Sequence, residues 1–221
     1  MDARLLNRCE ASARSFEAVN PFVNEQSVFP KRTGLMILPG MTLFPHSLLP
    51  LYIFEERYRQ MVEHALGGER MFAIAHVGED GDVAPIGGIG IVRACVANDD
   101  GTSNLILQGI ARVNFSDIEM EPFPSAAVAV LVDTHAADDS LADLRSDIDK
   151  VYHQIREAGS EAPAGFDQYL AQIDSPGAFA DAISAAFVAD PVERRGLLEE
   201  CDVSIRMQRL LRCLVRQMQT L

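Results

Sequence analysis

Apolar positions along this chain change period near its middle. Up to about residue 132 they fall in short runs or alternate, which is the signature of strands; beyond about residue 138 they recur every three to four residues, which is the signature of helices. The first run is Leu35–Leu38. A crossover follows, punctuated by Pro39, Gly40 and Pro45, and then a second extended run, Leu48–Ile53. Phe54, Tyr58, Met61, Val62 and Ala65 then share one helical face, with Glu55 and Glu56 in the first turn and Gly67-Gly68 available to end it. Further strands are predicted over Arg70–Val77, Pro85–Ala97, Asn104–Gln108, Arg112–Ile118 and Ser125–Val132, with hairpin punctuation at Asp99-Asp100-Gly101.

The second half reads as four or five helices. Leu141, Leu144, Ile148, Val151, Tyr152 and Ile155 form one stripe, and Ala162-Pro163 and Ser175-Pro176 offer starts with proline in the first turn. Asp190 and Glu193 have capping-box spacing, and Asp202 caps a final helix. On that helix Val203, Met207, Leu210, Leu211, Leu214, Met218 and Leu221 are assigned to one side. Arg206, Arg209, Arg212 and Arg216 are assigned to the other, as a solvated face or a basic docking stripe for a partner. Ahead of the first strand, residues 2–19 suit an amphipathic helix capped by Asp2, with Leu5, Leu6, Cys9, Ala13 and Phe16 on one side. Residues 22–32 follow as a packed extension or a mobile arm. The expected organisation is therefore an extension over 1–33, a β-rich lobe over 34–133 and a helical bundle over 138–221, an α+β fold in which the lobe holds one inserted helix.

Three segments carry a family resemblance. The first is the order Leu38-Pro39, Phe44-Pro45, Pro50-Leu51 and Ile53-Phe54-Glu55 with Arg57-Tyr58. The second is Gly90-Ile91-Val92 with Asn104–Val113, and the third runs from Asp190-Pro191-Val192-Glu193-Arg194 through Leu197-Leu198-Glu199 to Arg206. Together they resemble the N-terminal, substrate-binding domain of Lon proteases over roughly residues 35–220. The resemblance implies a compact, PUA-like pseudo-barrel followed by helices, in a bacterial, cytoplasmic protein. It also implies a non-catalytic module that recognises unfolded or loosely folded polypeptide, or that works with a protease or adaptor partner.

Composition narrows the chemistry. With 19 Lys and Arg against 32 Asp and Glu, the net charge of −13 disfavours nucleic acid, whose phosphates need clustered cations. Lys31 and Lys150 are the only lysines, and neither follows a glycine, so there is no Gly-Lys-Ser/Thr triplet to hold nucleotide phosphates and no context for a Ser-Lys protease. Gly87, Gly88 and Gly90 do not open a helix, so they read as a bend or bulge rather than a dinucleotide loop. Cys9, Cys95, Cys201 and Cys213 are far apart, and His46, His64, His76, His135 and His153 lack metal-ligand or hydrolase spacing, so no cofactor, metal site or catalytic set is assigned. No apolar run is long enough for a membrane span, and no secretory leader is read.

Binding to many unfolded sequences calls for exposed apolar side chains, because hydrophobic burial is non-directional. The crossover, with Met41, Leu43, Phe44, His46, Leu48 and Leu49, has that content and is the candidate polypeptide-binding loop. The competing expectation is that Phe44 and Leu48 plug the lobe. A small-ligand-binding β-lobe and an unrecognised hydrolase are the alternative functions.

Overall fold

Strand alternation builds the first half of the molecule. The computed structural model describes residues 29–77, 81–134 and 140–219; the helix expected over residues 2–19 lies outside them. Six strands are seen: β1 Arg32–Ile37, β2 Leu48–Ile53, β3 Met71–Ala75, β4 Ile86–Ala97, β5 Ser103–Glu119 and β6 Ser125–Leu131. Helix α1, Glu56–Gly67, lies between β2 and β3. β1 runs parallel to β3, with Leu35 opposite Ala73, and the crossover that parallel pairing requires is supplied by β2 and α1. All other pairings are antiparallel, in the order β2-β5-β4-β3-β1-β6, and β6 pairs back onto β5.

The returning pair divides the apolar residues into two sets. Leu35, Ala73, Ala75, Ile89, Val113, Phe115 and Ala126 come from all five strands of the closed circuit and pack together. Met36, Phe72, Ile74, Val92 and Leu107 pack on the other side, with Tyr58, Met61, Val62 and Ala65 of α1, and the register shifts between β4 and β5 reverse the alternation along those two strands. Opposite facing of successive residues follows from the two-residue period of a strand. The two strands expected over 104–108 and 112–118 are one continuous strand, β5. Its first half carries β2 and its second half carries β6.

Five helices follow: α2 Ser140–Glu157, α3 Phe166–Gln172, α4 Pro176–Phe187, α5 Pro191–Glu199 and α6 Val203–Met218. α4 is the central one, burying Phe179, Ala180, Ile183 and Phe187 among Ile148, Tyr152, Leu197, Met207 and Leu210. Its start has Ser175 as the cap, accepting from the Ala178 N–H, and Pro176 in the first turn. Asp190 accepts from the N–H groups of Val192 and Glu193, and Asp202 from that of Ile205. Two expectations are corrected. Ala162-Pro163 does not begin a helix, since α3 starts at Phe166 after Gly165 in the left-handed region at φ 78°. Glu193 does not close a capping box either, because its carboxylate is taken by Arg209 and Arg216.

Lobe and bundle are joined by backbone as well as side chains. After β6, the Thr134 N–H donates to the Cys201 carbonyl at 2.9 Å, and the Val203 N–H donates to the Thr134 carbonyl at 2.9 Å.

Candidate functional site

The crossover from β1 to β2 lies directly on the sheet, and glycines make room for it. A Cβ at Gly88 of β4 would strike the Leu43 carbonyl, and one at Gly109 of β5 would strike the Phe44 carbonyl. The glycine run of β4 therefore does two things: it holds a register shift between Ile89 and Gly90, and it seats the loop. Seated this way, consecutive loop residues point into different cores. Leu43 enters the one under α1, and Phe44 enters the helical one. Phe44 is 0% exposed, and the Arg194 guanidinium sits 5.6 Å above its ring. That guanidinium is held by the carbonyls of Ala185 and Val188 at 2.9 and 3.0 Å.

Polar bonds complete the seat. Thr42 Oγ1 lies 3.0 Å from His76 Nε2, both buried, and Ser47 Oγ donates to the Phe44 carbonyl at 2.7 Å. His46 adopts φ 65°, with its N–H donating to the Gly109 carbonyl at 2.8 Å. Burial lowers the pKa of His46 from its ordinary value, with nearby Asp181 opposing that shift and Arg112 adding to it. Burial also lowers that of His76, helped by Arg195 and Arg194. Of the six candidate loop residues, Leu43, Phe44 and Leu49 are thus interior, His46 is half-buried, and Met41 and Leu48 are exposed.

The exposed apolar surface begins where the loop ends. Leu48, Pro50 and Tyr52 alternate outward along β2, while Leu49 and Ile53 face in. Phe54 continues the outward row. Glu55 is still extended at φ −69°, ψ 131°, so the helical phase starts one residue too late to turn Phe54 inward with Tyr58. Tyr52 and Phe54 are 54% and 61% exposed, and their rings stack at 5.9 Å with 25° between planes. Across the sheet, Tyr52 is in register with Asn104, and Asn104 with Val96 of β4, which is also exposed. Among the described residues β2 pairs with β5 alone, which leaves its other edge open there.

The basic stripe is resolved into two unlike parts. Arg206 is not on the solvent side. It is 0% exposed and paired with Asp133, because position 206 lies only about 60° from Val203 around the helix and shares the face of Leu210. Arg209 and Arg216 reach Glu193 at 3.0 and 2.7 Å, and Arg212 is exposed. Hydrogen bonds from Arg216 and Arg209 lower the Glu193 pKa against the opposing effect of burial.

A groove of about 440 Å³ on the bundle is bounded by Arg145, Asp149, Tyr152, Asp167, Leu170 and Phe179. The Tyr152 hydroxyl donates to the Asp167 carboxylate, and burial together with that carboxylate raises the phenol pKa. Among the described residues there is no group of three or more His, Cys, Asp or Glu placed to hold a metal ion. No described helix is long and apolar enough to cross a membrane.

The described residues thus form a mixed β-lobe joined to a helical bundle, with an exposed apolar strand at the edge of the sheet. Residues 34–216 match the substrate-binding domain of ATP-dependent protease La (Lon), and the chain belongs to that family. It is 27% identical over 201 residues to the Lon protease of Desulfosudis oleivorans, covering 87% of this chain and 25% of that one. It is 24% identical over 206 residues to the Lon protease of Dictyoglomus thermophilum, covering 90% and 26%. The chain thus spans about a quarter of the length of these curated relatives. Among solved structures, the N-terminal domain of Mycobacterium avium complex Lon protease aligns with a TM-score of 0.69 at 20% identity, over 84% of this chain and 98% of that one. A Lon N-terminal domain protein from Xanthomonas campestris aligns at 0.61 and 17%, over 81% and 96%.

Proposed function

We propose that this chain recognises polypeptide without chemically altering it, and that the outward face of β2 is where an extended apolar segment is held. The observation that carries the reading is the stacked, half-exposed Tyr52–Phe54 pair on an open strand edge, flanked by Leu48, Pro50 and Val96. Apolar contact tolerates many sequences, and an open edge offers backbone groups to any extended chain. Met41, exposed in the loop itself, is included in the proposed surface, while Leu43, Phe44, His46 and Leu49 hold loop and strand in place.

Magnitudes favour a shared surface over a single anchor. Full burial of a large apolar side chain yields about 1.5–3 kcal/mol, so covering the exposed half of one ring adds roughly 1 kcal/mol. Micromolar affinity corresponds to about −8 kcal/mol, which requires the whole row together with backbone pairing.

The closed circuit β5-β4-β3-β1-β6 is read here as the PUA-like pseudo-barrel of a cytoplasmic, bacterial module. Side chains from all five strands fill its inside, which supports a protein-binding surface over a small-ligand cup. The net charge of −13 supports a protein rather than a nucleic-acid partner. Arg212, with Arg209 and Arg216 beside it, is the proposed contact for an acidic protease or adaptor partner.

Fluorescence anisotropy of a labelled, permanently unfolded polypeptide tests the reading, with a folded protein as control. Saturable binding to the unfolded chain is expected. The Tyr52→Ser/Phe54→Ser variant should bind about tenfold or more weakly while its unfolding midpoint stays within about 2 °C of the parent. Undiminished binding by that variant would move the site elsewhere, and no binding by the parent up to about 100 μM would remove generic client recognition.

A further inference from the structure

Two arginines and two aspartates meet where lobe and bundle join. Arg112 of β5 donates through Nη1 and Nη2 to both carboxylate oxygens of Asp181 on α4, and through Nε to the Leu198 carbonyl of α5 at 2.8 Å. Arg206 of α6 donates through Nη1 and Nη2 to the two oxygens of Asp133 at 3.0 and 2.5 Å, and through Nη1 to the Glu200 carbonyl at 2.7 Å. The pairs are cross-linked, with Arg112 3.6 Å from Asp133 and Arg206 Nε 3.4 Å from Asp181. Arg112, Asp181 and Arg206 are at most 3% exposed, and Asp133, just past β6, is one-third exposed. Formal charges cancel. A single cluster therefore ties a lobe strand and the lobe's exit segment to three helices.

Several features show that the site is built for this cluster. Gly177, in the first turn of α4, leaves space where a Cβ would strike both the Asp133 carboxylate and the Arg206 guanidinium. Arg206 Nε is buried without a hydrogen bond, so the cluster is not optimised for stability alone. Burying ions is expensive, and well-packed apolar residues of similar volume often hold as well or better. Carboxylate–guanidinium forks, however, accept only a narrow range of directions, whereas apolar side chains slide.

We infer that this cluster is an orientation lock, making lobe and bundle unfold and move as one unit so that the surfaces on both are presented in fixed relation. Packing contacts such as Phe44 add attraction between the two bodies, and the ions set their relative angle.

Differential scanning calorimetry of the whole chain tests the lock through the ratio of calorimetric to van't Hoff enthalpy, which is one for a single cooperative unit. The parent is expected to give one transition with a ratio of one. Asp133→Asn weakens the member with solvent access and keeps the fold; its ratio should rise above one. The quadruple variant Arg112→Met/Asp133→Asn/Asp181→Leu/Arg206→Met removes all four charges and leaves none unpaired, and should show two resolved transitions. The inference is overturned if both variants unfold in one transition with a ratio of one. Should the quadruple variant fail to fold, Asp133→Asn alone decides by the same criterion.

Discussion

The crossover loop and the strand it feeds are neighbours in sequence and alike in composition, yet they end up on opposite sides of the surface. Leu43 and Phe44 are sealed into two cores, while Leu48, Tyr52 and Phe54 lie open to solvent. What separates them is not their own hydrophobicity but the residues beneath. Gly88 and Gly109 let the loop backbone sink onto the sheet, and an apolar side chain on a sunken backbone has only interior to enter. β2 sits at normal strand spacing from β5, so every second side chain must face away. Exposed row and structural wedge are thus told apart by what is small next door.

The largest effect that sharpens this contrast is Phe44→Ala, which should cost about 3–5 kcal/mol, the range for emptying a buried aromatic site. At this chain length that lowers the thermal midpoint by roughly 6–20 °C, against no measurable change for the Tyr52 and Phe54 variant. A midpoint within about 2 °C of the parent would mean that the loop is not a wedge.

A smaller effect follows from the histidines around the loop. The pKa values of His46 and His76 lie below the ordinary 6.5 in the folded chain, so below that pH the unfolded chain binds more protons. Stability is therefore complete above pH 6.5 and is lost as the pH falls from there through the folded values. The urea midpoint should drop between pH 7.5 and pH 5.5, and His76→Asn should flatten part of that slope. A parent midpoint independent of pH over this range would contradict the assignment.

The smallest effect belongs to the outer part of α6. Arg216→Ala removes an exposed partner of Glu193 while Arg209 keeps the carboxylate paired, so the thermal midpoint should move by less than about 2 °C and respond weakly to salt. A larger shift would place this surface pair on a level with the buried cluster around Arg206.

Most of the fold is legible in the periodicity of the sequence. The change from alternation to helical spacing separates the strands from the bundle, and Ser175, Asp190 and Asp202 mark helix starts where they are found. Phe54 fits the helical count of the α1 stripe, and only the extended conformation of Glu55 reveals that it belongs to the strand phase. The charge of Arg206 suggests the solvent face, although its phase points inward with Leu210. A cation at an interior phase needs a buried anion, and Asp181 sits within the most apolar helix of the chain. That pairing spans residues far apart in sequence, and local pattern alone does not supply it.

Pro50 stands in the middle of the row that has been described only as an apolar surface. Proline in a strand is accommodated where its missing N–H faces away from the neighbour, here the open edge of β2. A free edge lined with Leu48, Tyr52 and Phe54 would otherwise offer an uninterrupted ladder on which copies of this chain could stack into aggregates. With one rung removed, an incoming strand can pair over a short length but cannot propagate along the whole edge.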